Sequence, residues 1–167
     1  NAADIAARVL QTESAALARL AEAVPDAFAA VTDRLRAVRG RVIVSGMGKS
    51  GHVAGKIAAT LASTGTPAHY VHPGEASHGD LGMITPADAV ILISNSGETR
   101  ELADMIAHCA RFAIPLVAIT KVAASTLGRA ADHVLALPDA PEACSIGMAP
   151  TTSTTMTMAL GDALAVA

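Results

Sequence analysis

The chain has 167 residues, of which 51% are hydrophobic and 2% aromatic, and its formal net charge is −3. This composition predicts one compact domain with a single sizeable core. The weak negative charge and the few rings argue against a surface that binds and stacks nucleic acid. No apolar run approaches the roughly 20 residues of a membrane-spanning helix, and two cysteines do not make a disulfide framework. We therefore expect a cytoplasmic single-domain protein without nucleic-acid or membrane partners.

The chain begins with two alanine-rich segments, 4–23 and 26–39, which are predicted helices separated at Pro25, with Asp26 capping the second. Runs rich in β-branched residues then alternate with helical segments near 51–64, 98–113 and 124–131. The runs lie at 42–45, 68–71, 89–94, 115–120 and 133–137, and a final helix is predicted after Pro150. Such runs are typical of parallel strands buried on both faces. The sequence thus predicts an α/β three-layer sandwich, flavodoxin- or Rossmann-like, with a central, mostly parallel sheet of about five strands. Residues 1–39 supply the N-terminal helices, and residues 40–167 the α/β core.

The segment VIVSGMGKSG at 42–51 contains two overlapping nucleotide-binding signatures. Gly46, Gly48 and Gly51 give the dinucleotide pattern G-x-G-x-x-G, and G-K-S is the end of a Walker A loop. The Walker A interpretation fails because Ile43 stands where a glycine is required. A dinucleotide site needs an acidic residue at the end of the next strand, but that strand ends near His72. What remains is a loop of small residues at a helix N-terminus, which suits an anion because free N–H groups point towards it.

A second loop of this kind, SNSGET at 94–99, follows the strand predicted at 89–94. Helix capping would explain one serine-rich turn, but two such loops after strands of one sheet indicate a shared crevice at its carboxyl edge. One loop could hold a phosphate and the other the rest of a small polar ligand, which points to a sugar phosphate. The candidate binding residues are Ser45, Gly46, Gly48 and Ser50 in the first loop, and Ser94, Ser96, Gly97 and Thr99 in the second.

The chain resembles the SIS (sugar isomerase) domain, and in particular the arabinose 5-phosphate isomerases of the KpsF/GutQ group. The resemblance rests on SGMGKSG, LASTGTPAHYVHPGEASHGDLGMI, ISNSGET and EACSIGMAPTTSTTMTMALGDALAVA. It implies interconversion of D-arabinose 5-phosphate and D-ribulose 5-phosphate, a role in Kdo and lipopolysaccharide synthesis, a homotetramer, and Gly65 and Thr66 as further substrate-binding residues. Many family members also carry a segment with an S-H-P motif and a pair of CBS domains, neither of which occurs in these 167 residues.

Aldose–ketose isomerisation through an enediolate needs a carbon base, a proton shuttle and stabilisation of negative charge. The resemblance implies functional roles for four residues. Lys49, within the first loop, would stabilise the phosphate or the enediolate. His78, in the polar loop EASHGDLG, would carry a proton, and Glu142, after the last strand, is the candidate carbon base. Glu101 is also implied, although the helix dipole alone favours an acid in the first turn after SNSGET.

The resemblance also implies an inhibitory Zn²⁺ ligand at His72. Its six-residue spacing from His78, with Cys144 as a third candidate ligand, matches no standard zinc pattern. The chemistry requires no metal, so we expect no essential cofactor. Two alternatives stay open. One is a non-catalytic SIS domain that senses a sugar phosphate, and the other is a related isomerase acting on a different sugar, such as phosphoheptose isomerase.

Overall fold

The computed structural model describes residues 1–167 and contains seven α-helices and five strands. In chain order they are α1 (Ala2–Glu22), α2 (Phe28–Arg36), β1 (Val42–Gly46), α3 (Lys49–Ser63), β2 (Ala68–Tyr70), α4 (Pro73–Ser77), β3 (Ala89–Ile93), α5 (Ala103–Phe112), β4 (Leu116–Thr120), α6 (Thr126–Ala130), β5 (His133–Ala136) and α7 (Thr152–Val166). Two 3₁₀ turns, Asp80–Met83 and Arg100–Leu102, complete the chain's regular structure. All five predicted strands and the predicted helices are present.

The five strands form one sheet in the order β2-β1-β3-β4-β5, and every neighbouring pair is parallel. Every residue of β1, β3 and β4 is buried. This burial explains why these strands read as continuous apolar runs, because parallel sheets are covered by helices on both faces. The predicted fold class is confirmed.

Two cores separate the three layers. On one face, α1, α2, α3 and α7 pack against side chains such as Val44 of β1 and Ile91 of β3. On the other, α4, α5 and α6 pack against alternate residues of the same strands, such as Ile43 and Leu92. Because successive strand residues point to opposite faces, each buried strand contributes to both cores.

Two local predictions were wrong. Asp26 does not cap α2, which begins at Phe28 after the N-cap Ala27 and has no side-chain cap. The segment after β2, expected to be a polar loop, instead forms α4 and the turn Asp80–Met83. Pro73 at the first helical position has the fixed φ that suits a helix start, which explains why a helix begins there. No helix of the chain is both long and apolar enough to cross a membrane.

Candidate active site

The two small-residue loops leave the sheet side by side. Gly46, the last residue of β1, is the register partner of Ile93, the last residue of β3. The chain passes from β1 to β2 on one side and from β3 to β4 on the other, so the winding reverses between β1 and β3. A crevice opens beyond the carboxyl ends of the strands at such a switch point. The glycine loop (residues 47–50) and the anion loop (residues 94–99) flank this crevice.

Backbone geometry accounts for the spacing of Gly46, Gly48 and Gly51 in and beside the glycine loop, so this spacing does not require a bound nucleotide. Gly48 has a φ of +59° and precedes α3. A Cβ on Gly51 would lie 2.6 Å from the Gly46 carbonyl oxygen and 2.7 Å from the Tyr70 hydroxyl. The third glycine therefore lets α3 approach β1 closely. Lys49, the first residue of α3, is exposed and takes part in none of the chain's ion pairs.

In the anion loop, hydroxyl groups shape the turn and leave donors available. The buried Ser94 Oγ accepts the Gly97 N–H at 3.0 Å and lies 2.7 Å from Thr99 Oγ1. Ser96 is exposed, and its Oγ accepts the Glu98 N–H at 3.2 Å, so its own hydroxyl proton has no partner within the protein. Gly97 has a φ of +69°, a region that favours glycine.

Among the candidate binding residues, Ser45 differs from the other serines because its hydroxyl donates to a backbone carbonyl. Its side chain is fully buried, and its Oγ donates to the Val71 carbonyl at 2.6 Å. The hydroxyl proton is therefore used to join β1 to the segment that follows β2. Ser50, by contrast, is half-buried in the first turn of α3.

Gly65 and Thr66 lie at the opposite edge of the sheet from the two loops. The helix α3 runs back along the sheet, and both residues form the turn between its end and the start of β2. The Thr66 N–H donates to the Leu61 carbonyl at 2.9 Å, and the next residue, Pro67, accepts from Val42 at the start of β1. Within a single chain they therefore lie away from the two loops, because residues before a parallel strand lie at its amino edge, and their role in substrate binding stays a prediction.

Glu142 lies beside the N-terminus of α7, on the loop that follows β5. Its Oε2 accepts the Thr151 N–H at 2.7 Å, the Thr151 hydroxyl at 3.1 Å and the Ser153 N–H at 3.3 Å. Its Oε1 has no hydrogen-bond partner in the protein. Burial alone would raise the pKa of Glu142, but hydrogen bonds from Ser153 and Thr151 outweigh it and hold this pKa below the ordinary value. One oxygen is thus fixed while the other is free to accept a proton.

His78 and Glu101 lie on neighbouring exposed segments. His78 is the C-cap residue that follows α4, and its N–H donates to the Glu75 carbonyl at 3.0 Å. Glu101 lies in the turn Arg100–Leu102, which packs against α4. Both side chains are exposed, and no hydrogen bond links Lys49, His78, Glu101 or Glu142 to one another. The structure therefore places these four residues without joining them into a bonded catalytic network.

His72 serves a helix cap. Its Nδ1 accepts the Gly74 N–H at 3.1 Å at the start of α4, and its ring lies edge-on to Tyr70 at 6.4 Å between centroids. No group of three or more His, Cys, Asp or Glu side chains is placed to hold a metal ion. The residues around His72 therefore do not fit a protein-built zinc site, and the proposed inhibitory Zn²⁺ ligand stays a prediction.

Sequence analysis missed two residues that shape the crevice. The Tyr70 hydroxyl donates to the Gly46 carbonyl at 3.3 Å, and burial raises the pKa of Tyr70. Glu98, within the anion loop, accepts hydrogen bonds on both carboxylate oxygens from Thr126, 28 residues further along the chain. No local pattern predicts the second contact, because it depends on how the loops after β3 and β4 meet.

The largest cavity, of about 600 Å³, is not at the crevice. Apolar residues alone line it, and it lies between α1, the start of α2 and the end of α7. A smaller cavity of about 250 Å³ adjoins the anion loop and includes Gly97, Thr99 and Thr126. The polar side chains that could bind a sugar phosphate lie at the crevice. The large cavity has an apolar lining, which is typical of a protein interface.

The model of the SIS domain family matches residues 35–167, and the chain belongs to this family. The structure superposes with a TM-score of 0.94 on E. coli CFT073 c3406 in complex with arabinose 5-phosphate, at 38% identity, covering 98% of this chain and 87% of that one. The chain is 53% identical over 160 residues to the arabinose 5-phosphate isomerase KdsD of Yersinia pestis and 52% identical over 161 residues to KpsF of Escherichia coli O6:H1. Each alignment covers 96% of this chain and 49% of the relative. The chain thus spans about half the length of these curated relatives.

Proposed function

We propose that the protein interconverts D-arabinose 5-phosphate and D-ribulose 5-phosphate. The observation that carries this proposal is the structural match to a protein solved with arabinose 5-phosphate. The match covers 98% of this chain and 87% of the other protein's chain. The crevice supports it, because the anion loop beside it offers a free hydroxyl donor at Ser96 and the Glu142 carboxylate lies at the same edge of the sheet. The role in Kdo and lipopolysaccharide synthesis and the cytoplasmic location stay predictions.

The anion loop is the proposed phosphate site. Ser94 is buried and already accepts the Gly97 N–H, so its hydroxyl proton is best placed in the bond to Thr99. The Thr99 hydroxyl proton is then free, as is that of Ser96. Hydroxyl donors to a phosphate oxygen form charge-assisted hydrogen bonds, which are stronger than neutral ones.

The reaction moves one carbon-bound proton and one hydroxyl proton. In the forward direction a base removes the proton from C2, and the electron pair forms the C1–C2 double bond of the enediolate. The same base returns the proton to C1, while the hydroxyl proton moves from O2 to O1. Glu142 is the proposed base, because its Oε1 has no partner and its lowered pKa keeps it ionised near neutral pH.

His78 and Lys49 are assigned the remaining steps. His78 would open the furanose ring or carry the proton between O2 and O1, since histidine exchanges protons near neutral pH. Lys49, exposed and without an ion pair, would stabilise the negative charge of the phosphate or the enediolate. Glu101 lies beside α4 and would act on the same side of the crevice as His78. No cofactor is required by this scheme.

We further infer a homotetramer, as the family resemblance implies, with one interface at the apolar surface between α1 and α7. The apolar cavity between α1 and α7 joins exposed side chains on the same surface, including Val24 and Val166. An isolated protein rarely exposes a continuous apolar patch of this kind, and a second copy of the chain is the proposed cover.

The decisive experiment compares substrates. The protein is mixed separately with arabinose 5-phosphate, glucosamine 6-phosphate and sedoheptulose 7-phosphate, and ketose formation or loss is followed. Turnover of arabinose 5-phosphate alone would support the proposal. Turnover of sedoheptulose 7-phosphate would instead indicate a phosphoheptose isomerase, and binding without turnover would indicate a sensing domain.

A further inference from the structure

The anion loop is joined to the connection between β4 and α6 through Glu98. Oε1 of Glu98 accepts the Thr126 N–H at 2.8 Å, and Oε2 accepts the Thr126 hydroxyl at 2.7 Å. Thr126 is the first residue of α6. Both oxygens of one carboxylate are thus occupied by both donors of one residue. This two-point contact fixes the orientation of the carboxylate as well as its position.

Backbone contacts join the same two segments on either side of Glu98. The Asn95 carbonyl accepts the Lys121 N–H at 3.1 Å and the Thr120 hydroxyl at 3.3 Å. The Gly97 carbonyl accepts the Leu127 N–H at 3.0 Å. The loop is therefore held at Asn95, Gly97 and Glu98, and none of these bonds uses the hydroxyl of Ser96 or Thr99.

The close approach of the two segments explains the glycine between Ser96 and Glu98. A Cβ on Gly97 would lie 1.8 Å from Ser125 Oγ. That hydroxyl is itself engaged, because it accepts the Gly128 N–H at 3.1 Å and so caps α6. The close packing of the anion loop against the start of α6 therefore requires a glycine at position 97.

A carboxylate within a phosphate-binding loop needs a physical reason, since like charges repel. The hydroxyl and the backbone N–H of Thr126 lower the pKa of Glu98, and the positive charge of Arg129 adds to this effect. Glu98 is therefore ionised at neutral pH. Its charge is directed at donors on α6, and Arg129 on the same helix partly offsets it.

We propose that Glu98 is a positioning residue for the phosphoryl group. It does not contact the substrate. By binding Thr126 at two points it holds Ser96 and Thr99 in the arrangement that receives the phosphate, so that the loop loses little freedom on binding. This inference rests on the proposed function, because it assumes that the anion loop binds the phosphoryl group of the substrate.

The test uses paired variants of the two partners. Glu98→Ala and Thr126→Val remove hydrogen bonds, whereas Glu98→Gln and Thr126→Ser retain groups that can make both contacts. Glu22→Gln, on the exposed last residue of α1, is the matched control. For each protein we measure kcat and KM with arabinose 5-phosphate, the Kd of inorganic phosphate by titration calorimetry, and Tm.

We expect Glu98→Ala to raise KM and the phosphate Kd together by about 10-fold while kcat changes by less than about 2-fold. Glu98→Gln, Thr126→Ser and the control should stay near the wild type. The double variant Glu98→Ala/Thr126→Val should bind phosphate no more weakly than Glu98→Ala alone, because Glu98→Ala already removes the hydroxyl bond that Thr126→Val removes.

Three results would overturn the inference. Unchanged KM and Kd in Glu98→Ala would show that the contact does not position the loop, and a loss confined to kcat would place Glu98 in the chemical step. A wild type that binds no phosphate would remove the premise. A wild type that binds phosphate but turns over no sugar phosphate would contradict the proposed function alone, since the phosphate Kd values still test Glu98.

Discussion

The backbone N–H of Thr151 lies 2.7 Å from Oε2 of Glu142, nine residues before it in the chain. This bond ties the loop after β5 to the start of α7. It directs the carboxylate into a region where helix N–H groups favour negative charge. Because Oε2 is held in this way, Oε1 is the oxygen available to a substrate proton.

We predict that Glu142→Gln lowers kcat by about 10²- to 10⁴-fold, the usual effect of losing a general base. The amide oxygen of glutamine can still accept the Thr151 N–H, so the fold should be retained. In deuterated solvent the variant should no longer exchange the C2 proton of arabinose 5-phosphate, whereas His78→Asn should retain exchange with open-chain substrate. Exchange at the wild-type rate in Glu142→Gln would place the base elsewhere, with His78 as the next candidate.

The lowered pKa of Glu142 also predicts how stability depends on pH. In the unfolded chain this carboxyl titrates near 4.5, and in the folded protein its pKa is lower. The carboxylate therefore stabilises the fold above pH 4.5, and this contribution is lost as the pH falls through the folded pKa. The Tm difference between wild type and Glu142→Gln should be constant above about pH 5 and shrink below it. Other acidic residues cancel in this difference, and a pH-independent difference would contradict the prediction.

We predict that the anion loop determines substrate affinity. Replacing Ser96 and Thr99 by alanine removes hydroxyl groups whose hydrogen bonds to a charged phosphate contribute about 1.5–3 kcal/mol each. The double variant should raise KM by about 100-fold or more with a smaller effect on kcat. Ser63→Ala, at the exposed end of α3, is the matched control. Unchanged sugar-phosphate affinity in the double variant would rule this loop out.

The fold could be predicted because its strands are buried on both faces. Val42–Gly46 and Ala89–Ile93 are fully buried, so they appear in the sequence as apolar runs without alternation. The adjacency of the two loops followed from the rule that parallel strands end at one edge. The substrate-binding role that the resemblance implies for Gly65 could not be related to the two loops from the sequence, because Gly65 follows α3 and lies at the far edge of the sheet.

Features of the site that depend on tertiary packing could not be predicted. Ser45 and Ser94 are both serines that follow apolar runs. In the structure, however, the Ser45 hydroxyl donates to the Val71 carbonyl, whereas the Ser94 hydroxyl pairs with that of Thr99. The partner of Glu98 is 28 residues away. Hydrogen-bond partners of this kind are set by the register of the strands and the lengths of the connections, which a single sequence does not display.

The two cysteines should differ in reactivity. Burial, with a smaller effect of the Asp132 charge, raises the pKa of Cys109 to about 12, whereas N–H groups of Ala149 and Ile146 lower the pKa of Cys144. Because the thiolate is the reactive form, iodoacetamide at pH 8 should label Cys144 and leave Cys109 unmodified until the protein is unfolded. Mass spectrometry would locate the label. Equal labelling in the folded protein would contradict the assignment.

Cys144 also reports on the site, since it lies two residues after Glu142 on the same loop. Saturating arabinose 5-phosphate should slow its alkylation, and glucose 6-phosphate at the same concentration serves as the control for ionic effects. If neither compound slowed the alkylation of Cys144, the result would indicate that this loop is not part of the substrate site.

We predict that the protein assembles through the surface formed by α1 and α7. The apolar cavity between α1 and α7 should be covered by a second copy. Because the family resemblance implies a homotetramer, in which this contact would be one of the interfaces, light scattering at micromolar concentration should give the mass of a tetramer. Val24, 51% exposed at the edge of this cavity, is a suitable probe. Val24→Glu would place a charge in the interface, where an unpaired buried carboxylate is costly, and should shift the protein to smaller species. Val122→Glu, at a residue 43% exposed after β4, is the matched control and should leave the mass unchanged. A wild type that is a stable monomer would contradict the tetramer, and an unchanged tetramer in Val24→Glu would move the interface to another surface.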